Sequence, residues 1–183
     1  GRTKGSAWYD HDVLGSNLRI TEFQAAILSA QLARLPGQIE RRDENVNLLD
    51  QVLAEIESVQ TLADAPDMNR RSHHMHIFRC REASDRDDIV AALNDEGIPA
   101  LAGWYRPLYK NAVFQNAHQG PAHGVISPLA AKNVDYRDVV CQVCEQVCQD
   151  AIWIPQYVLL ADRPQIDGLC EGLRTVLLSA GHG

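Results

Sequence analysis

The segment from Gly15 to Leu35 constrains this chain most, because a turn of small and polar residues leads directly into a long helical pattern. Thr21 is the predicted N-cap of that helix. Glu22 follows in the first turn, where a negative charge favours the positive end of the helix dipole. Asn17 and Arg19 precede the cap, where unpaired backbone N–H groups favour an anion. The apolar positions at helical spacing are Phe23, Ala26, Ile27, Ala30 and Leu35. We therefore expect this segment to complete a cofactor site whose main part lies outside the sequence.

The composition is that of an ordinary soluble protein and excludes several classes of partner. Hydrophobic residues make up 45% of the 183 residues, charged residues 22%, and the formal net charge is -7. No run of Lys and Arg exceeds two residues, so the sequence predicts neither nucleic-acid binding nor attachment to an anionic membrane. No apolar run approaches the roughly 20 residues of a transmembrane helix. Five cysteines, an odd number, favour a cytoplasmic protein with reduced thiols.

The pattern of helices and strands predicts an α/β chain with a small α+β domain. Pro36 and Gly37 are expected to end the first helix, and a second helix is expected from 38 to 57. The N-terminal residues resemble a loop entered from upstream, which suggests a piece of a longer polypeptide. The later predicted elements are a strand at 74–80, a helix opened by Ser84 and Asp87 and closed by Gly97, a strand at 98–102, a long loop at 104–124, a helix at 135–149, a strand at 152–154, and a final helix with Pro164 in its first turn.

Two groups of residues raise the question of a metal site. Cys141, Cys144 and Cys148 lie on one side of a predicted helix, but tetrahedral zinc needs four ligands and no fourth lies close in sequence. We favour packing of these cysteines in the core over a metal site. In the run of His73, His74 and His76, strand alternation places the last two on one face as a possible ligand pair. The favoured alternative is one buried histidine with the others exposed, so no metal site is predicted.

The aromatic loop carries the best candidates for ligand contact. Trp104, Tyr105 and Tyr109 lie beside Arg106 and Asn111, and this combination suits stacking on and hydrogen bonding to a sugar or polyol. A packed loop without a ligand is the open alternative. None of the three lysines lies in an apolar setting that would activate an amine as a nucleophile. Signatures of hydrolases, NTPases and dinucleotide-binding proteins are absent. The sequence therefore provides no candidate catalytic residue.

The motifs from Gly15 onward resemble one family throughout the chain. The run GSNLRITEFQAAILSAQLARL, followed by IERRDEN, is similar to the segment after the cofactor lysine in the DegT/DnrJ/EryC1/StrS aminotransferases. These are fold-type I enzymes that use pyridoxal 5'-phosphate (PLP) on keto sugars and cyclitols. Further similarity occurs at His73 and His74, at EGIP (96–99), at PLY (107–109) and at IPQYVLL (154–160).

The resemblance implies a division of the chain and a set of roles. Residues 1–37 would end the large PLP-binding domain and form the interface helix. Residues 38–183 would form a helical connector and a small domain with an antiparallel or mixed sheet. The implied assembly is a homodimer with active sites at the subunit interface, where Asn17 reaches the cofactor phosphate of the neighbouring subunit and Arg19 supports that anionic site. His74 would lie near the substrate or the carboxylate of the amino donor.

This sequence also departs from the family. Many relatives have His-Tyr-x-Pro-Leu-His where this chain has Trp104 and Tyr109 in place of the histidines, which favours a cyclitol or aminoshikimate-like acceptor. The family's Schiff-base lysine precedes the segment at which this sequence begins. The expected function is therefore the C-terminal portion of an aminotransferase that is inactive alone. The alternative is a non-catalytic remnant or interaction module that pairs with a full-length homologue.

Overall fold

The computed structural model describes residues 4–5, 7, 9–12, 18–82, 85–116 and 135–180. Five helices and a four-stranded sheet lie within these residues, with two short 3-10 turns at Leu108–Lys110 and Val158–Leu160. No helix in the described part of the chain is long and apolar enough to span a membrane. The elements in chain order are α1 (Glu22–Ala54), β1 (Val59–Thr61), β2 (Met75–Cys80), α2 (Arg86–Asp95), β3 (Leu101–Ala102), α3 (Ala112–Gln115), α4 (Gln142–Asp150), β4 (Ala151–Pro155) and α5 (Arg163–Ala180).

The long helix α1 corrects the prediction of two helices. Its 33 residues run through Pro36 without a break, so the expected end at Pro36 and Gly37 is wrong. A proline inside a helix removes one hydrogen bond, here to the carbonyl of Leu32, and costs about 3 kcal/mol. The helix continues because its C-terminal half is anchored by packing: Val46, Leu49 and Leu53 are buried in the core.

The sheet is antiparallel throughout, with the strand order β1-β2-β4-β3. Strand β2 pairs with β4 in the centre, where His76 lies opposite Ile154 and Phe78 opposite Ile152. Alternate residues of β2 are buried, as expected for a strand with one face on a core. The sequence pattern does not predict strand β1, because this strand is short and lies beside polar residues. Its pairing with β2 defines it as a strand.

The chain forms two compact units. The first comprises Gly1–Arg19 and Gly103–Cys148, and the second comprises Ile20–Ala102 and Gln149–Gly183. The second unit holds the main hydrophobic core, in which the C-terminal half of α1, α2 and α5 cover the sheet. Full burial of one Leu, Ile or Phe side chain contributes about 1.5–3 kcal/mol. The fully buried members with the largest side chains are Phe78, Leu49, Leu53, Leu93, Ile152, Ile154, Leu159, Ile166, Leu173 and Leu177.

Several local predictions are confirmed and others are corrected. Gly97 has φ +77°, the left-handed conformation expected of the residue after α2. Pro164 lies in the first turn of α5, as expected. Ser84 lies outside the described residues, and α2 begins after Asp85, whose side chain makes no capping hydrogen bond. Helix α4 begins seven residues later than predicted, at Gln142 rather than Asp135.

Two glycines on α5 provide a matched test of packing. At Gly172 an added Cβ would lie 2.7 Å from Cδ1 of Ile98, whereas at Gly168 no described atom lies within 4 Å. We expect Gly168→Ala to stabilise the fold by about 0.5–1 kcal/mol through helix propensity. We expect Gly172→Ala to lose part of that gain, because Cδ1 of Ile98 must move to admit the added methyl group. Urea denaturation of both variants measures the difference, and equal stability would contradict the packing argument.

Candidate functional site

The start of α1 is held by a capping box, which confirms Thr21 as the N-cap. The backbone N–H of Gln24 donates to Oγ1 of Thr21 at 3.3 Å, and the backbone N–H of Thr21 donates to Oε1 of Gln24 at 2.8 Å. This reciprocal pair satisfies two donors that a helix start otherwise leaves open. Glu22 lies in the first turn, as expected. The helix end is therefore fixed by its own sequence.

The predicted phosphate ligands precede this cap. Asn17 lies outside the described residues, and Arg19 is exposed two residues before Thr21. Their roles stay predictions. The half of α1 that follows exposes its apolar side: Phe23 is 85% exposed and Ile27 63% exposed. An apolar helical face of this kind is typical of a surface that another protein segment covers.

An aromatic cluster in the first unit contains two of the residues that are predicted to contact a sugar or polyol, Trp104 and Tyr105. The ring of Tyr9 lies 6.4 Å from the ring of Trp104 and 4.5 Å from that of Tyr105. The hydroxyl oxygens of Tyr9 and Tyr105 are 3.1 Å apart, and this hydrogen bond raises the pKa of Tyr105 to about 12. The hydroxyl of Tyr105 is therefore protonated at neutral pH. Tyr9 was not predicted, because 96 residues separate it from Tyr105.

Polar contacts attach the segment at residues 9–12 to the aromatic loop. Asp10 forms an ion pair with Arg106, and the backbone N–H of His11 donates to Oδ1 of the buried Asn111 at 3.1 Å. The backbone N–H of Val113 donates to the carbonyl of His11 at 3.0 Å. These bonds attach the chain that follows Trp104 and Tyr105 to residues 10 and 11, so the aromatic cluster is built by two distant parts of the sequence.

Tyr109 belongs to a second polar group within the same unit. Its hydroxyl donates to Glu145, and Nζ of Lys110 donates to the other carboxylate oxygen of Glu145 at 2.6 Å. The hydrogen bonds from Lys110 and then Tyr109 lower the pKa of Glu145. The backbone N–H of Cys141 donates to the hydroxyl oxygen of Tyr109 at 3.2 Å. The structure thus places Trp104 and Tyr105 together with Tyr9, whereas Tyr109 contacts α4.

The three histidines have different environments. His76 is 4% exposed, and its Nε2 lies 2.9 Å from Oδ1 of Asp50. His74 is exposed and lines a surface cavity with His73 and His76. His73 has φ +47°, and its Nε2 lies 3.1 Å from Oδ1 of Asp43. The favoured alternative, one buried histidine with the others exposed, is correct for His76 and His74 and wrong for His73, whose side chain is only 12% exposed. The role of His74 as a substrate contact stays a prediction.

The environment of His73 predicts a dependence of stability on pH. Burial lowers the pKa of His73, although Asp43 acts in the opposite direction. The unfolded chain then binds the proton more readily than the folded chain, so the free energy of unfolding falls as the pH drops below about 6.5. We expect His73→Asn, which tolerates the positive φ, to make this fall shallower in urea titrations between pH 7 and 5. His74→Asn is the control, and equal slopes for His73→Asn and the unaltered protein would contradict the assignment.

The cysteines correct the prediction of core packing. Cys80 and Cys170 are buried, but Cys141 and Cys144 are exposed and Cys148 is half-buried. The expectation that all three cysteines of α4 pack in the core is wrong, because no described element covers the side of the helix that carries Cys141 and Cys144. Within the described residues, no three His, Cys, Asp or Glu side chains are placed to hold a metal ion.

Comparison with known proteins identifies the family. The profile of the DegT/DnrJ/EryC1/StrS aminotransferase family matches residues 1–174. 3-Amino-5-hydroxybenzoate synthase of Amycolatopsis mediterranei (strain S699) is 32% identical over 173 residues, which are 93% of this chain and 42% of the synthase. L-glutamine:2-deoxy-scyllo-inosose aminotransferase of Streptomyces paromomycinus is 25% identical over 171 residues, 91% of this chain and 39% of that enzyme.

The structural comparison agrees with the sequence comparison. The crystal structure of 3-amino-5-hydroxybenzoic acid (AHBA) synthase superposes with a TM-score of 0.68 at 30% identity, covering 98% of this chain and 44% of the synthase. The chain therefore spans less than half the length of the relatives that it matches. Its small antiparallel sheet with flanking helices corresponds to part of an aminotransferase fold. The chain belongs to the DegT/DnrJ/EryC1/StrS aminotransferase family.

Proposed function

We propose that this chain is the C-terminal portion of a PLP-dependent aminotransferase that transfers an amino group from an amino acid to a keto sugar or keto cyclitol. The observation that carries the proposal is the family match, which extends over residues 1–174. Two of the relatives have names that give a product or an acceptor: one is a 3-amino-5-hydroxybenzoate synthase and the other an aminotransferase of 2-deoxy-scyllo-inosose. Bound PLP would supply the electron sink for moving the amino group.

In this proposal the lysine that carries PLP lies in the part of the protein that precedes this chain. Lys110 is held by Glu145 at 2.6 Å, and this contact raises the pKa of Lys110, so its amine stays a charged partner of the carboxylate. A nucleophilic amine needs the opposite shift. Lys4 is exposed in a turn, and Lys132 lies outside the described residues. We expect the isolated chain to be inactive.

Asn17 and Arg19 are proposed to bind the PLP phosphate of the neighbouring subunit in a homodimer. Their position before a capped helix supports this role, because amide and guanidinium donors at such a site suit a phosphate. The exposed apolar side of α1, with Phe23 and Ile27, supports an assembly in which this helix is covered.

The aromatic cluster is proposed to bind the acceptor. Trp104 and Tyr105 are both partly exposed, so their rings are accessible for stacking on a flat or puckered carbocycle. The hydroxyls of Tyr9 and Tyr105 are suited to hydrogen bonding with oxygen substituents on such a ring. Tyr109 shares its hydroxyl with Glu145 and Cys141, which suits an orienting role. His74 is proposed separately as a contact of the substrate or of the amino donor's carboxylate.

Reductive trapping tests the location of the lysine and of the phosphate ligands. We expect borohydride treatment with PLP to leave no covalent cofactor on the isolated 183-residue chain, and to label one lysine upstream of it in the whole protein. Asn17→Ala and Arg19→Ala in the whole protein should each weaken PLP binding about 10-fold, as for loss of one charge-assisted hydrogen bond. Arg34→Ala is the control. A covalent adduct on the isolated chain would overturn the proposal.

A further inference from the structure

Two exposed cysteines occupy the first turn of α4. The backbone N–H of Glu145 donates to the carbonyl of Cys141 at 2.9 Å, which makes Cys141 the N-cap residue of the helix that begins at Gln142. Cys144 is then the third residue of the helix. Both thiols are exposed and neither forms a disulfide. The proposed amino transfer uses neither of them.

The spacing of these residues suits a disulfide. The N-cap and third helical residues are the pair that exchange side chain–backbone hydrogen bonds in a capping box, so their side chains lie near each other. A disulfide requires Cα atoms roughly 4.4–6.8 Å apart, a range that includes residues three apart in a helical turn. Rotation of the side chains of Cys141 and Cys144 can therefore bring the two sulfur atoms together without unfolding the helix.

The surroundings hold this helix start in place. The backbone N–H of Cys141 donates to the hydroxyl oxygen of Tyr109 at 3.2 Å, and Tyr109 and Lys110 both donate to Glu145 in the first turn of α4. A fixed backbone at the helix start and the exposure of both thiols together describe a Cys-x-x-Cys pair that is accessible to small disulfides.

The two buried thiols, Cys80 and Cys170, have the opposite character. Burial raises the pKa of Cys80 to about 11, and burial also raises the pKa of Cys170. Both side chains are enclosed in the core of the second unit. These two cysteines are therefore internal references for an unreactive thiol in the same molecule.

We propose that Cys141 and Cys144 form a redox-active dithiol that exchanges with low-molecular-weight disulfides of the glutathione type. The thiolate of Cys141 attacks one sulfur of the oxidised disulfide, forming a mixed disulfide and releasing one thiolate. Cys144 then loses its proton and attacks the sulfur of Cys141, which closes the internal disulfide and expels the second thiolate. Two protein thiols are oxidised and one small disulfide is reduced to two thiols.

The test equilibrates the purified protein, first as this chain and then as the whole protein, with mixtures of reduced and oxidised glutathione. After acid quenching and alkylation, mass spectrometry of proteolytic fragments should locate a disulfide between Cys141 and Cys144, with loss of two hydrogen masses. Cys144→Ser should stop the reaction at the glutathione adduct on Cys141. Cys148→Ser should leave the disulfide unchanged, and alkylation of Cys141 should be at least about 10-fold faster than that of Cys80 or Cys170.

Three results would overturn the proposal. A disulfide between Cys144 and Cys148 would show that the first turn of α4 is not the reactive pair. Persistence of both thiols of Cys141 and Cys144 under oxidising mixtures would exclude the dithiol. Equal alkylation rates for Cys141 and Cys80 in the folded protein would show that Cys141 is no more accessible than a buried thiol. PLP binding by the whole protein is measured separately, so these results do not depend on the proposed aminotransferase activity.

Discussion

Replacement of Asp150 by alanine is expected to lower the free energy of unfolding by about 1.5–3 kcal/mol, the cost of removing charge-assisted hydrogen bonds from a half-buried guanidinium. Asp150 is 2% exposed and accepts two hydrogen bonds from Arg79, from Nε at 2.8 Å and from Nη2 at 2.6 Å. Without the carboxylate, the half-buried guanidinium of Arg79 loses both of these hydrogen bonds. Urea denaturation of the unaltered chain and of Asp150→Ala measures the loss in the free energy of unfolding.

The location of the pair explains why the effect should be large. Asp150 is the last residue of α4, and Arg79 lies in β2 opposite Ala151, the first residue of β4. The pair therefore joins the residue that precedes β4 to the neighbouring strand β2 within the second unit. A contact at that point supports the register of the two central strands, so its loss affects more than two side chains.

A surface pair and a double variant serve as controls. Arg163 and Asp167 form an exposed i,i+4 pair on α5, and Asp167→Ala should cost less than about 0.5 kcal/mol. The combined variant Arg79→Met with Asp150→Leu should recover most of the loss, because apolar residues can replace a buried ion pair at little cost. If Asp150→Ala costs no more than Asp167→Ala, the ion pair does not support the register of the two central strands.

Local signals in the sequence were sufficient for much of the fold. The cap at Thr21, the strand at 75–80, the positive φ of Gly97 and the final helix all depend on residues within a few positions of one another. The break expected at Pro36 failed because tertiary packing of the C-terminal half of α1 outweighs a local helix breaker.

The candidate site was less accessible to sequence reasoning, because its contacts join distant residues. Trp104 and Tyr105 could be selected from composition, but their contact with Tyr9 bridges more than 90 residues. The pairing of His76 with Asp50 likewise bridges 26 residues and joins a strand to a helix. Periodicity also predicted burial for Cys144, whose side of α4 is exposed in the structure.

Introduction of charge on the exposed side of α1 is expected to weaken subunit assembly strongly while leaving this chain folded. Phe23→Asp combined with Ile27→Asp changes side chains that are 85% and 63% exposed, so the free energy of unfolding of the isolated chain should change by less than about 1 kcal/mol. If the partner subunit covers this helix, two buried carboxylates should raise the dissociation constant of the whole protein at least about 30-fold.

Sedimentation of the whole protein over a range of concentrations measures this dissociation constant. Gln51→Asp is the matched control, since it adds a carboxylate at an exposed position of the same helix, in the half that packs on the core. A variant that stays dimeric but unfolds more readily would assign the apolar side of α1 to another domain of the same subunit. Dimer dissociation together with weaker PLP binding would instead connect the helix to the proposed phosphate site of the neighbouring subunit, because Asn17 and Arg19 immediately precede it.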